Sequence, residues 1–192
     1  MSNEGYLQSV KKQFSYYKAL AEKTFAQLTE EQLFWQYNEE SNSIAIIAKH
    51  LAGNMLSRWT DIFTTDGEKE WRDRDTEFEN DFHTKNELIE FWEKGWNVFQ
   101  TTLESLTNED LETIIYIRNQ GHTVLEAINR QLAHYPYHVG QIVFIGKMIC
   151  NQNWESLSIP RNASANYNQN MFNKPKHREH FTDETLNTNN NK

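Results

Sequence analysis

Two histidines four residues apart, His134 and His138, are the pair in this sequence best spaced for shared chemistry. Four residues of helix turn through about 400°, so the imidazoles stand about 40° apart in direction and one turn apart in height. Both could reach one ion. Neutral imidazole suits zinc, nickel, copper or iron(II), and a tetrahedral site closes with two further ligands. On spacing alone, such a pair is more often satisfied within the fold or turned to solvent than bound to metal. Three features favour the metal. The surrounding sequence is apolar around most of a helical circumference. Pro136 lies between the pair and removes a helix N–H. Arg130 and Gln141 fall within about 40° of His134 on the same helix, where they could contact the ligands or a substrate.

A third nitrogen is available from His50. On a helical wheel it lies about 110° from the centre of its helix's apolar stripe, at the border of the buried face. It is either a partly exposed histidine with its N–H satisfied or a ligand. If the helices carrying these residues are neighbours, His50, His134 and His138 give three ligands and leave one position open, which separates catalytic from structural sites.

Other chemistries are closed off. Tyr135, Pro136 and Tyr137 stand where a metallopeptidase HExxH would need its glutamate. No Glu has a His three residues later, so carboxylate-bridged di-iron pairs are absent. There is no glycine-rich phosphate loop and no GxSxG. Cys150, the single cysteine, falls near the end of an apolar helix and reads as a buried, inert thiol. Any thiol chemistry must therefore use an external thiol. His83 and His122 precede helix starts and are expected in loops. His177 and His180, in KPKHREH, are expected to be solvated. The charge run EKEWRDRDTEFE (68–79) is expected to form weak, solvent-facing ion pairs.

Four segments have the helical period needed to position these residues. The first carries Leu7, Val10, Phe14, Tyr17, Ala21 and Phe25; the second runs from about Ser43 to Phe63 and holds His50. The third carries Leu88, Trp92, Gly95, Phe99 and Leu106, and the fourth runs from about Thr123 to Ile149. Thr84 with Glu87 and Thr123 with Glu126 match the capping box, and Thr29 with Gln32 suggests a short extra helix. Thr113 to Arg118 is the one strand candidate, a short edge or a loop. The expected fold is therefore all-α, a four-helix bundle. A long crossover, residues 64–82, joins its second and third helices, and Trp71, Phe78 and Phe82 are expected to pack it across the bundle.

With 192 residues, the chain suits one domain, placed at 1–173. An Asn-rich tail, 174–192, is expected to be loose in its last part, disordered or held only by contacts. A net charge of −8 opposes nucleic-acid binding, which needs a basic surface. No stretch is long and apolar enough to span a membrane, and one cysteine fits a reducing compartment, so a cytoplasmic protein is expected.

A histidine in the second helix followed by NRQLAHYPYHVGQIVFIGKMI (129–149) resembles the DinB-like superfamily of metal-binding four-helix bundles. Within it the sequence is most similar to a branch described as a domain of unknown function, whose other recurrent blocks resemble residues 67–79 and 154–172. The resemblance covers roughly residues 5–173. It implies a divalent metal, zinc or nickel, held by His50, His134 and His138, and a homodimer. Relatives in the superfamily include bacillithiol transferases and mycothiol-dependent maleylpyruvate isomerases. The resemblance thus implies S-transferase chemistry that joins a low-molecular-weight thiol to a small-molecule substrate. A hydrolase using metal-bound water and a non-catalytic metal-binding or stress-response module are the alternatives.

Overall fold

The computed structural model describes residues 4–189. In chain order its elements are α1 (Glu4–Ala26), α2 (Glu30–Phe34), α3 (Ile44–Trp59), α4 (Lys85–Ser105), β1 (Ile114–Ile117), β2 (Gln120–Thr123), α5 (Val124–Cys150), α6 (Ser164–Phe172) and α7 (Asp183–Asn189). Helix makes up 63 % of the structure against one two-stranded sheet, so the class is all-α, as expected. Among the described residues, no helix is long and apolar enough to cross a membrane.

The helix starts follow from local chemistry. Thr29, Ser43, Thr84 and Thr123 each accept a hydrogen bond at the side chain from the backbone N–H three residues on, satisfying a donor the helix cannot. Gln32, Glu87 and Glu126 return the bond to their cap residue's N–H, completing the three capping boxes. The second helix ends at Trp59, earlier than the apolar pattern indicates. Asp61 adopts φ 50°, and its carbonyl accepts from the N–H groups of Thr64 and Thr65, closing a turn that the helix cannot continue through.

The four long helices bury one another. Both α1 and α3 lie beside α4 and α5. Rings from all four meet at the centre. Phe99 of α4 packs edge-on to Phe14 of α1 at 4.6 Å and to Tyr135 of α5 at 5.3 Å, and tilts against Trp59 of α3 at 4.8 Å. Edge-to-face geometry sets the positive rim of one ring on the negative face of the next, which adds to the burial. Glycines set the closest approaches. A Cβ on Gly95 of α4 would come within 2.6 Å of the Ala52 Cα on α3, and one on Gly146 of α5 within 2.4 Å of the Thr24 side chain on α1.

Thr113–Arg118, the one strand candidate, does hold a strand, and its partner is what the sequence-based expectation lacked: β1 pairs antiparallel with β2, with Ile114 opposite Thr123 and Ile117 opposite Gln120. The two-residue turn, Arg118 and Asn119, has φ of 55° and 60° and lacks the Asn-Gly or Asp-Gly signature that announces such turns. The Asp66 carboxylate compensates by accepting both of their backbone N–H groups, at 2.7 and 2.8 Å. His122 accordingly lies in β2 and not in a loop. In the crossover, Phe82 packs against the core, but Trp71 is 61 % exposed. Residues 174–189 lie in part against α1: Lys12 pairs with Asp183 at 2.6 Å, His180 Nε2 sits 3.0 Å from Ser9 Oγ, and Thr182 is buried. His180 is therefore held, not solvated, while His177 is exposed. Residues 190–192, the end of the segment expected to be loose, lie outside the described residues.

The α3–α4 contact gives a first prediction. Gly95→Ala should destabilise the protein by about 1–3 kcal/mol in denaturant unfolding, because the new methyl overlaps Ala52 and forces two packed helices apart. Gly140→Ala, where an added Cβ meets nothing within 4 Å, should instead stabilise α5 by up to about 1 kcal/mol. Equal effects at the two sites would refute the close approach.

Candidate metal centre

The site lies where α3 and α5 meet, capped by the crossover. His134 and His138 project from adjacent turns of α5, and His50 projects from α3. Their imidazole centroids lie 4.8 Å (His134–His138), 5.0 Å (His50–His138) and 5.4 Å (His50–His134) apart. One ligating nitrogen from each lies within 4.8 Å of the others, a group that could hold a metal ion. The structure thus brings together the three histidines singled out from spacing. It corrects the placement of His50, which is 5 % exposed and not at a solvent border. All of α3 is buried, because α4, α5 and the crossover cover it on every side.

Each imidazole has an oxygen on its Nδ1. His50 Nδ1 donates to Glu77 Oε2 at 2.9 Å, and since a carboxylate only accepts, that nitrogen carries the hydrogen. His138 Nδ1 faces Gln141 Oε1 at 2.8 Å, and His134 Nδ1 faces Gln131 Oε1 at 3.3 Å. In the neutral tautomer this pattern selects, Nε2 holds a lone pair on all three rings. The Nε2 atoms of His50 and His134 are 3.4 Å apart. Two lone pairs at that distance repel unless a proton or a cation lies between them. A tetrahedral ion with metal–nitrogen bonds of 2.0–2.1 Å sets its ligand nitrogens about 3.4 Å apart, so the donor set fits a borderline divalent metal. Oxygen partners on the remote nitrogens are the usual means of fixing metal-binding imidazoles.

The sequence reading named Gln141 and missed the rest of this supporting shell. Gln131 and Gln141 stand three residues before His134 and three after His138, which places each on its histidine's side of α5. Their spacing was a usable signal. Glu77 had none, since it reaches His50 only through the crossover's path. It lies in a single 3-10 turn, Asp75–Phe78, that also stacks Phe78 on His50 at 5.0 Å. Arg72 grips the Glu77 carboxylate with two hydrogen bonds, Nε to Oε1 at 2.7 Å and Nη2 to Oε2 at 2.9 Å. Glu68 continues the chain, accepting from Arg72, Arg58 and Arg118. The expectation that residues 68–79 form weak, solvent-facing pairs is therefore overturned at Arg72 and Glu77, whose side chains are buried against α3. Gly53 makes room, for a Cβ there would lie 2.4 Å from Glu77 Oε1.

Arg130 keeps its guanidinium exposed one turn before His134 and makes no ion pair or hydrogen bond with another described residue. Cys150 has its thiol buried near the Gln27 carbonyl, and burial pushes its pKa up.

The family model described as a protein of unknown function, DUF1572, matches residues 1–163. The chain belongs to that family. All three histidines and every side chain that supports them lie within the matched span. No curated protein and no solved structure matches the chain.

Burial is the main cause that pushes His134 down to about 3, and the positive charge of a protonated His138 or His50 and of Arg130 and Arg58 adds to it. Burial also lowers His138, against an opposing hydrogen bond from Gln141. For Glu77, burial would raise the carboxyl, but the hydrogen bonds from His50 and Arg72 outweigh it and hold it below the usual range. The imidazoles of His134 and His138 are therefore neutral and ready to ligate at pH 7 without first losing a proton.

Two predictions follow from this electrostatics. Above about pH 6.5 an unfolded histidine is neutral like the folded one, so the metal-free protein should hold its stability there. As pH falls from about 6.5, the unfolded chain takes up protons that buried His134 refuses until about 3, so stability should decline through that window. Urea unfolding at several pH values checks this, and His134→Gln should flatten the slope. Separately, Glu77→Gln should weaken zinc binding about 10- to 100-fold in competition titrations with a chelator, since it unties His50 from its fixed tautomer. Unchanged affinity would remove Glu77 from the site.

Proposed function

We propose that this protein is a DinB-like four-helix metalloenzyme that holds zinc or nickel through His50, His134 and His138 and transfers a low-molecular-weight thiol to a small electrophile. The observation that carries the metal reading is the convergence of three imidazoles, each with its Nδ1 turned to an oxygen, and with the Nε2 atoms of His50 and His134 3.4 Å apart. The superfamily reading is supported by the order of the long helices, the crossover between α3 and α4, and the origin of the histidines, one from α3 and two from α5.

When bound, a divalent cation would supply Lewis acidity that lowers the pKa of a thiol or water beside it. Three histidines leave room for such a ligand. Two features favour a thiol over water as nucleophile. A thiol starts near pKa 8.5 and needs little help to ionise, whereas water starts near 15.7 and generally calls for a base. The carboxylate that touches the imidazoles, Glu77, has both oxygens committed to Arg72 and His50 and is not free to act as that base. Arg130, exposed and without a partner among the described residues, would hold an anionic group of the thiol cofactor. In the transfer, the thiol sulfur attacks an electrophilic carbon and forms the C–S bond, the leaving group departs with the bonding pair, and the thiol proton passes to solvent.

Protein purified without a nickel column should contain close to one equivalent of zinc or nickel by elemental analysis. Less than about 0.2 equivalents, with no uptake of either ion when added, overturns the metal reading. The metal-loaded protein should conjugate a chlorinated dinitrobenzene to one member of a panel of bacillithiol, coenzyme A, glutathione and cysteine. His134→Ala should fold, by circular dichroism, and lose that activity at least about 100-fold. A stoichiometric metal with no thiol-dependent turnover would leave the protein a metal-binding module.

A further inference from the structure

His134 and His138 form the middle of a longer array on α5. Arg130, His134, His138, Gln141, Ile145 and Met148 fall within about 80° of one another around the helix, at a rise of about 1.5 Å per residue. Toward the N-terminal end, the array begins with exposed Arg130, whose guanidinium pairs with no other described residue. Toward the C-terminal end, it runs into a cleft of about 480 Å³ between α5 and the loop at residues 35–42. The volume lies in the range that encloses a small organic ligand.

The walls of that cleft are large apolar side chains left facing water. Trp35 is 39 % exposed, Tyr37 74 %, Phe144 66 % and Met148 47 %. Buried Ile47, three residues before His50 on α3, also lines it. Apolar surface gathered in one concavity costs free energy in water and marks a binding site more often than four scattered side chains would. The loop that supplies Trp35 and Tyr37 is held in shape: Gln36 donates to the Ser41 carbonyl at 2.9 Å, and Ser41 Oγ donates to Asn38 Oδ1 at 2.7 Å. Glu40 is the one charged residue in the lining, and its carboxylate disfavours an anion there. The polar link is Gln141, which lines the cleft and also turns its amide oxygen to His138 Nδ1 at 2.8 Å. One side chain therefore touches both the candidate metal centre and whatever occupies the cleft.

We propose that this cleft binds the uncharged aromatic or alkyl body of the electrophilic substrate, with Gln141 as the wall it shares with the metal centre. This assignment rests on the transferase reading for the role of the ligand, though not for its binding. The array then has opposite chemistry at its ends: Arg130 takes the anionic cofactor, and the Trp35–Tyr37–Phe144–Met148 cleft takes the neutral acceptor. The two meet at the histidines. Specificity for the acceptor lies in the four apolar walls, and Glu40 selects against acids.

The test uses the full chain stripped of metal, so that it reads the cleft independently of the metal reading. N-phenyl-1-naphthylamine, an uncharged aromatic probe, should bind with a dissociation constant in the micromolar range, with enhanced fluorescence, and at least about tenfold more tightly than naphthalene-1-sulfonate. Phe144→Ser and Met148→Ser replace exposed residues and should leave folding intact, yet together weaken the probe at least about tenfold. His134→Ala should leave probe binding unchanged. In nuclear magnetic resonance spectra, the His138 imidazole signals should shift on probe binding while those of exposed His177 stay still. No probe binding, affinity unchanged by the double substitution, tighter binding of the sulfonate, or an unmoved His138 would each overturn the proposal. Metal content is measured separately, so failure of the metal reading is seen as such and not mistaken for failure of the cleft.

Discussion

The buried phenol of Tyr135 fixes the height of α5 against α3, and the candidate centre depends on that register. The hydroxyl accepts from Trp59 Nε1 at 3.1 Å and donates to Asn54 Oδ1 at 3.2 Å, so both partners are on α3. The ring has no solvent exposure, and a polar group at that depth must keep its partners or lose the stabilisation of burial. Asn54 stands one turn beyond His50, and Tyr135 is the immediate neighbour of His134. Sliding either helix by one turn would break two buried hydrogen bonds and displace His50 by about 5 Å from its present place beside His134. The aromatic cluster around Phe99 holds the same helices laterally, while Gly95 lets α4 close on α3 and Gly146 lets α1 close on α5.

On that fixed register the crossover acts as a third wall. Its alternating charges are not a solvated fringe. They form a chain from Arg118 and Arg58 through Glu68, Arg72 and Glu77 to His50. Each carboxylate in the buried part meets a guanidinium in good geometry, which is what makes burial of charge tolerable. The chain delivers one negative charge to the outer nitrogen of His50 without leaving an unpaired acid near the other two imidazoles. At the neighbouring histidines, neutral amides do the same work. The candidate centre therefore combines one charged and two neutral supports.

Much of the scaffold was legible in the sequence because its signals are local. The helix starts at Thr84 and Thr123 depend on four consecutive residues, and the pairing of His134 with His138 depends on helical pitch alone. Thr113–Arg118 was legible as a strand candidate, but its partner β2 escaped, because the turn residues Arg118 and Asn119 take positive φ with Asp66 holding their N–H groups from 52 and 53 residues away. His50 looked like a border residue because a helical wheel knows one helix and not the three elements that cover α3. Glu77 escaped for the same reason on a larger scale: within EKEWRDRDTEFE it is one acid among several, and nothing nearby distinguishes it.

The sequence by itself determined the helical class, the caps, the two-histidine stripe on α5 and the single cysteine near the end of that helix, because each depends on residue type and short-range spacing. The tertiary structure decided which histidine completes the set, which carboxylate supports it, and that the cleft beside Gln141 opens toward the same centre. Those depend on the packing of elements tens of residues apart, where the energy of one buried contact selects among arrangements that local sequence leaves equal.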